Sequence, residues 1–256
     1  MAALLENKTA LVMGVANRWS IATAIARAMH EHGARLVLTY EGDRVKDEVE
    51  KLGAELGSAE IAGCDVGSDA SIEQLKGTLE SKGVKLDVLV HSIAFARREE
   101  LAGKFYATSR DGFKLALDIS AYSLVALCRH LHPLFNQAAS VIAMTYLGSV
   151  RAVQNYNVMG VAKAALESTI RYLAVDLGES GARVNAISAG PIKTASARAV
   201  SGFSGILSEV EKRTPLRRNA TAADVANAAV FLASELSSAV TGHVLYVDAG
   251  FNVVGI

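Results

Sequence analysis

From Thr9 to Asp248 short apolar runs alternate with amphipathic helical windows, and no proline-rich, serine-rich or charge-run linker interrupts them. That alternation constrains the fold more than any other feature, because parallel strands need crossover connections and helices are the usual crossovers. Strand-like runs fall at Thr9–Gly14, Arg35–Tyr40, Ser58–Asp65, Val88–Ile93, Val141–Tyr146, Arg183–Ser188 and Val244–Asp248. Helical windows fall near Ile21–His32, Arg44–Leu56, Ser71–Ser81, Gly112–His130, Val158–Leu177 and Ala222–Ser234. The order predicts an α/β single domain over 1–256, a Rossmann-like doubly wound parallel sheet of about seven strands with helices on both faces. One buried helical face is explicit, since Val158, Ala162, Ala165, Leu166, Thr169, Ile170 and Leu173 recur at steps of three and four. Prolines stand only at 133, 191 and 215. Two of them flank the least regular stretch, 192–214, whose small residues surround Val200, Phe203, Ile206 and Leu207. This is the candidate substrate lid, with a plain surface helix as the alternative.

Composition removes several function classes. Lys+Arg number 26 and Asp+Glu 26, so no positive surplus exists to neutralise a polyanion or an anionic membrane surface. Nucleic acid and membrane are therefore not expected partners. Cys64 and Cys128 are the only cysteines. No Cys/His cluster has metal-ligand spacing, so no metal is expected. The pairs His30/His32 and His130/His132 read as surface decoration. Residues 1–8 show no basic-then-apolar signal, and the uncharged stretch from Pro133 to Val150 is too polar for a span, so a cytoplasmic, reduced protein is expected.

In an open parallel sheet ligands bind beyond the carboxyl ends of the strands, which singles out the loop after each one. After the first, Gly14-Val15-Ala16-Asn17-Arg18-Trp19-Ser20-Ile21-Ala22 leads into a helix. A glycine turn with Ser20 at the N-cap presents backbone N–H groups to a pyrophosphate, although the GxGxxG fingerprint is absent and an ordinary capped turn explains the loop nearly as well. After the second, Glu41 would bond the ribose hydroxyl of NAD and repel the extra phosphate of NADP, with Arg44 and Lys46 near enough to blur the preference. After the third, Asp65 either accepts from an adenine amino group or caps the helix that begins near Ser71. Tyr146 follows the fifth strand. Tyr156 and Lys163 come next, seven apart, which on a helix is almost two turns and about 10 Å along one face. A phenol donates at neutral pH and a nearby ammonium lowers its pKa, a pairing suited to stabilising an oxyanion formed when a carbonyl compound takes up hydride. A solvated lysine and a half-buried ring are the plain alternative.

The ordered set Gly14-x5-Ser20-x-Ala22, Cys64-Asp65-Val66, His91-Ser92-Ile93-Ala94-Phe95-Ala96, Tyr146, Tyr156-x6-Lys163, Val184-Asn185-Ala186-Ile187-Ser188-Ala189-Gly190-Pro191-Ile192 and Val247-Asp248-Ala249-Gly250-Phe251 resembles the bacterial enoyl-acyl carrier protein reductases. These are a divergent branch of the short-chain dehydrogenase/reductase superfamily, and the resemblance covers essentially the whole chain. The TGxxxGxG, NNAG-like and Tyr-x3-Lys patterns of ordinary superfamily members are all missing.

The resemblance implies hydride transfer from NADH to the β-carbon of a trans-2-enoyl thioester in type II fatty-acid elongation, with NADPH the less favoured cofactor. It implies Tyr156 as hydrogen-bond donor to the thioester oxygen, Lys163 as holder of the nicotinamide ribose, and Tyr146 as a second active-site tyrosine that either donates a proton or shapes the pocket. Ser20, Ile21, Asp65, Val66, Ile93, Lys163, Ile192 and Thr194 would line the cofactor, with Gly14 allowing its close approach. Ala96, Tyr146, Tyr156, Met159, Phe203 and Ile206 would face the acyl chain. Implied partners are acyl carrier protein bearing the enoyl chain and further copies of the chain in a homotetramer.

Two departures stand out. The basic lid residues of some relatives are replaced here by Ser201, Ser204 and Gly205, leaving Arg198, Lys212, Arg217 and Arg218 to supply positive surface for the carrier. Glu41 stands where relatives often have a neutral or basic residue. The competing readings are a carbonyl reductase of the same superfamily and a nucleotide sensor on the same frame, and a sensor would need neither Tyr156 nor Lys163.

Overall fold

The computed structural model describes residues 3–57, 60–194 and 203–255. Seven parallel strands form one sheet: β1 (Thr9–Met13), β2 (Arg35–Tyr40), β3 (Glu60–Gly63), β4 (Leu86–His91), β5 (Phe135–Thr145), β6 (Arg183–Ala189) and β7 (Val244–Val247). Their spatial order is β3-β2-β1-β4-β5-β6-β7, so the chain reverses its direction of travel between β1 and β4. Such a reversal parts the flanking connections and opens a crevice above the strand ends. Register places Met13 beside His91 and Thr145 beside Ser188, which brings the loops after β1, β4, β5 and β6 to one edge.

Eight α-helices complete the described fold: α1 (Ile21–Glu31), α2 (Asp43–Leu56), α3 (Asp69–Ser81), α4 (Arg110–Leu117), α5 (Ser123–Leu131), α6 (Asn157–Gly178), α7 (Phe203–Arg213) and α8 (Ala222–Ala233). The two sheet faces carry separate apolar cores. Leu75, Leu124, Leu127, Leu166 and Ile170 pack one face from α3, α5 and α6. Ile25, Met29, Val49, Leu52, Val225 and Val230 pack the other from α1, α2 and α8. Strands buried on both faces read as nearly continuous apolar runs, as β1 and β2 do, whereas β6 is buried throughout with Arg183, Asn185 and Ser188 among its residues.

Two sequence expectations need correction, and two others reach beyond the described residues. The window Gly112–His130 is not one helix, because a π-helical turn at Asp118–Tyr122 separates α4 from α5. Hydroxyls explain the break: Ser123 Oγ bonds the carbonyl of Ile119, four residues back, while Ser120 Oγ leaves the helix to bond Phe95. The third strand begins at Glu60, and residues 58–59 of the expected run lie outside the described residues. α3 begins at Asp69 with Ser68 as its cap, so Asp65 does not cap it. Within the candidate lid stretch, 192–214, Phe203–Arg213 is helical, and residues 195–202 lie outside the described residues.

Of the pair His130/His132, His132 is exposed as expected and His130 is not. His130 is largely covered, with Nδ1 2.8 Å from Glu73, and His132 stacks edge-on against Phe135. Cys64 and Cys128 are buried free thiols, each pushed up to about 12 chiefly by burial. They are poor nucleophiles.

Candidate active site

The residues expected to hold a dinucleotide stand where the topology requires, immediately after strands. Gly14 follows β1 at φ +95°, and a Cβ there would sit 2.1 Å from the Ser92 carbonyl oxygen. The close approach that demands glycine is thus to the β4 loop. Ser20 caps α1, taking the amide of Thr23 at 3.3 Å and lying 2.9 Å from the Asn17 carbonyl. α1 carries no acid in its first turn, which leaves the positive end of its dipole uncompensated by its own side chains. Glu41 is exposed just past β2. Asp65 receives the amide of Gly67 on one oxygen at 2.9 Å, and its own amide donates to Ser71. Val66 is buried and Ile93 half-buried.

A cleft of about 570 Å³ lies between Trp19 and Ser20 before α1, Pro191–Lys193 after β6, and α7. Ser20 and Ile192 are in its walls, whereas Tyr156 and Lys163 are not. Thr194 closes the β6 loop with its amide 2.8 Å from the Ile192 carbonyl. An uncompensated helix N-terminus, an exposed carboxylate just past β2 and an adjoining cleft together fit a dinucleotide. Among the described residues no group of three or more His, Cys, Asp or Glu could hold a metal ion. No helix among them is long and apolar enough to cross a membrane.

The tyrosine–lysine pair is built at the start of α6. Tyr156 occupies the N-cap position and Lys163 lies in the second turn, so the helix carries almost the whole seven-residue step. The Tyr146 and Tyr156 rings meet edge to face, with centroids 5.0 Å apart and planes at 70°. Two glycines that the motif reading overlooked set this geometry. A Cβ on Gly148 would lie 2.6 Å from Cδ1 of Tyr156, and one on Gly160 would lie 2.7 Å from the Gly148 carbonyl oxygen. The only sequence signal for them is a glycine two residues after Tyr146 and another inside an otherwise good helix, where glycine is unfavourable.

The electrostatics differ from the sequence expectation. Tyr156 is not drawn toward ionisation by the ammonium. Burial, then the neighbouring Tyr146, push its pKa far above the ordinary phenol value. Tyr146 is raised too, by burial. Both remain neutral donors. Lys163 is 4% exposed and donates from Nζ to the Met144 carbonyl at 2.7 Å, while burial brings its pKa down to about 8. Buried His91 is held neutral, its pKa lowered to about 3 by burial and by Lys163.

The substrate-side residues divide. Met159 is buried beside the tyrosine pair, while Ala96 and Ile206 are half-buried on the β4 loop and on α7. Phe203 begins α7, and its side chain lies outside the described residues. Of the cationic candidates, Arg218 is committed to Asp224 at 2.7 and 3.1 Å, and Arg217 donates to the Lys212 carbonyl. Arg198 lies outside the described residues.

Comparison with known proteins agrees with this architecture. The family model described as enoyl-(acyl carrier protein) reductase matches residues 14–252. The chain is 48% identical to the enoyl-[acyl-carrier-protein] reductase [NADH] of Bacillus cereus, across 98% of this chain and 99% of that protein. A crystal structure of the Bacillus cereus enoyl-acyl carrier protein reductase with NADP+ and an indole naphthyridinone superposes with a TM-score of 0.98 at 47% identity, covering all of both chains. The crystal structure of the enoyl-[acyl-carrier-protein] reductase (NADH) from Aquifex aeolicus gives 0.96 at 46% identity, covering 99% of each. The chain belongs to the enoyl-acyl carrier protein reductase family, within the short-chain dehydrogenase/reductase superfamily.

Proposed function

We infer that this chain is an NADH-dependent enoyl-acyl carrier protein reductase of fatty-acid elongation. The observation that carries the reading is the Tyr146–Tyr156 pair wedged on Gly148 and Gly160 and kept neutral by burial, with a buried ammonium in the next turns of the same helix.

NADH supplies the hydride to the β-carbon of the trans-2-enoyl thioester. As negative charge gathers on the thioester oxygen, the Tyr156 hydroxyl donates a hydrogen bond to it. A neutral phenol suits that task, since a phenolate could only repel the charge. Tyr146 meets the Tyr156 ring edge to face, where it either donates a proton or shapes the pocket. Lys163 has one N–H committed to Met144, leaving two for the nicotinamide ribose. The α1 N-terminus with Ser20 and Ile21 takes the pyrophosphate. Glu41 takes the adenosine ribose and disfavours NADPH. Asp65 has a second oxygen for the adenine amino group, Val66 and Ile93 flank the rings, and Ile192 and Thr194 close over the nicotinamide. The acyl chain runs along Ala96, Met159 and Ile206 beneath α7, the described part of the candidate lid.

The enoyl chain arrives on acyl carrier protein. Lys212 and Arg217 are the better docking cations, because Arg218 is neutralised by Asp224. Tyr172 and Val175, exposed three residues apart on the outer part of α6, supply an apolar face for further copies in a homotetramer.

The test follows loss of reduced-nicotinamide absorbance with a crotonyl thioester. NADH should be consumed faster than NADPH, and Tyr156→Phe should lower kcat by roughly 100-fold or more while NADH still binds. Cofactor binding without oxidation of either nucleotide would sink the reading in favour of a sensor.

A further inference from the structure

A second ionisable side chain shares the buried face of α6 with Lys163, and the reaction as described leaves it without a task. Glu167 lies one helical turn further on and is 6% exposed. Its carboxylate accepts the Thr145 hydroxyl at 2.7 Å, and Thr145 is the last residue of β5, adjoining Tyr146. Lys163 donates to the carbonyl of Met144, the preceding residue. Two side chains one turn apart on α6 therefore grip two consecutive residues of β5. The ammonium is bonded to a carbonyl and the carboxylate to a hydroxyl, so the two charges act on each other through space.

A carboxylate this buried is expensive to keep unless another charge or several donors compensate it. Residues four apart on a helix are neighbours, which sets Glu167 against Lys163. We propose that Glu167 is a positioning residue for the reductase reaction, its negative charge one turn along α6 keeping Lys163 cationic and so able to hold the nicotinamide ribose. The inference rests on the assignment of Lys163 as the ribose holder.

The surroundings leave this task to Glu167. Burial drives Lys163 toward neutrality, and among the described residues Glu167 is the carboxylate whose charge opposes that. From β4, His91 faces Lys163 as a neutral ring. From the site itself, Tyr146 and Tyr156 are neutral phenols. From β7, Tyr246 is raised first by burial and then by Glu167 and Asp248, with Arg151 opposing, so it too is uncharged at neutral pH.

The experiment measures NADH affinity by fluorescence, kcat/KM with a crotonyl thioester, and melting temperature from pH 6 to 10. In the wild type, affinity and rate should fall on the alkaline side near about 8, as Lys163 loses its proton. Glu167→Gln keeps the shape and removes the charge, and should move that midpoint down by about one pH unit. NADH affinity would then match wild type at pH 6 and be about fivefold weaker at pH 8. Glu167→Asp restores the charge and should return the midpoint most of the way. It also serves if the glutamine variant does not fold, because a midpoint below wild type by a smaller amount is then expected. Thr145→Val keeps the charge and should leave the midpoint in place. A Glu167→Gln loss that is uniform across pH, an unmoved midpoint in the only variant that folds, or an equal displacement in Thr145→Val overturns the proposal. Lys163→Met that binds NADH like wild type at every pH would remove the ribose assignment and the inference with it. Weakened Lys163→Met beside an unmoved Glu167→Gln overturns the inference alone.

Discussion

α6 and α7 both border the site and are held in opposite ways. α6 runs for 22 residues and buries nine side chains, Lys163 and Glu167 among them. α7 runs for 11, and of its described side chains only Leu207 and Val210 are buried, the rest being half-exposed or exposed. Its Glu209–Arg213 pair lies on the surface, where ion pairs stabilise little. The tyrosine proposed to meet developing charge within tenths of an ångström sits on the element with many fixed contacts. The element proposed to admit and release an acyl chain sits on two apolar anchors, so its local opening is the cheaper one.

The largest effect should come from disturbing the fixed side. Gly148→Ala puts a methyl group where the Tyr156 ring now lies, at 2.6 Å from Cδ1. The ring must move, and a displacement near 1 Å at a reacting group lowers rate by roughly 100-fold. NADH affinity should change little, because the ring is not its main support. Gly160→Ala meets backbone at 2.7 Å and should lose both rate and thermal stability. Wild-type kcat in Gly148→Ala would show that Tyr156 tolerates slack and would erase the contrast with α7.

That dependence on glycine shows where sequence reading stopped. The strand–helix alternation carried the sheet, because apolar runs buried on both faces leave a clear pattern, and the loops after β1, β2, β3 and β6 hold the residues expected there. Seven-residue spacing placed Tyr156 and Lys163 on one helix. The charge state of the tyrosine was not legible, since it follows from burial by partners distant in sequence, as with Tyr146 ten residues away. Gly148 and Gly160 matter through each other and the two tyrosine rings, contacts that a glycine after Tyr146 and another inside a helix signal only faintly. The break at Asp118–Tyr122 was hidden for a similar reason: Ser120 is an acceptable helix residue until the amide of Phe95 stands 3.0 Å from its hydroxyl.

On the α7 side, adjacent residues should separate support from substrate contact. Leu207 is 8% exposed, and Leu207→Ala should cost about 2 kcal/mol and lower the melting temperature by about 5 °C. Ile206 is half-buried and is assigned to the proposed acyl path. Ile206→Ala should leave melting nearly unchanged and raise KM for longer enoyl chains a few-fold. The reverse pattern, with Ile206 setting stability and Leu207 setting KM, would reverse the proposed faces of α7.

The smallest effect concerns the junction that follows α7. Thr221 and Asp224 form a capping box at the start of α8, with Thr221 Oγ1 taking the Asp224 amide and Asp224 taking the Thr221 amide. Thr221→Ala should cost about 1 kcal/mol, a shift of a few degrees in melting. Asp224 also meets Arg218, whose guanidinium is the main cause holding its carboxyl well below the ordinary 3.8, with Thr221 assisting and partial burial opposing. A carboxyl depressed in the folded state contributes stability above its ordinary value and loses it as pH falls through the folded one. Wild-type melting should therefore decline below about pH 4, whereas Asp224→Asn should start lower at pH 7 and decline less, the curves converging in acid. Because Arg218 is exposed, high salt should narrow their gap at pH 7. A gap unchanged by salt would mean that the cap hydrogen bonds, rather than the Arg218 pair, make the difference, and would free Arg218 to serve the carrier protein instead.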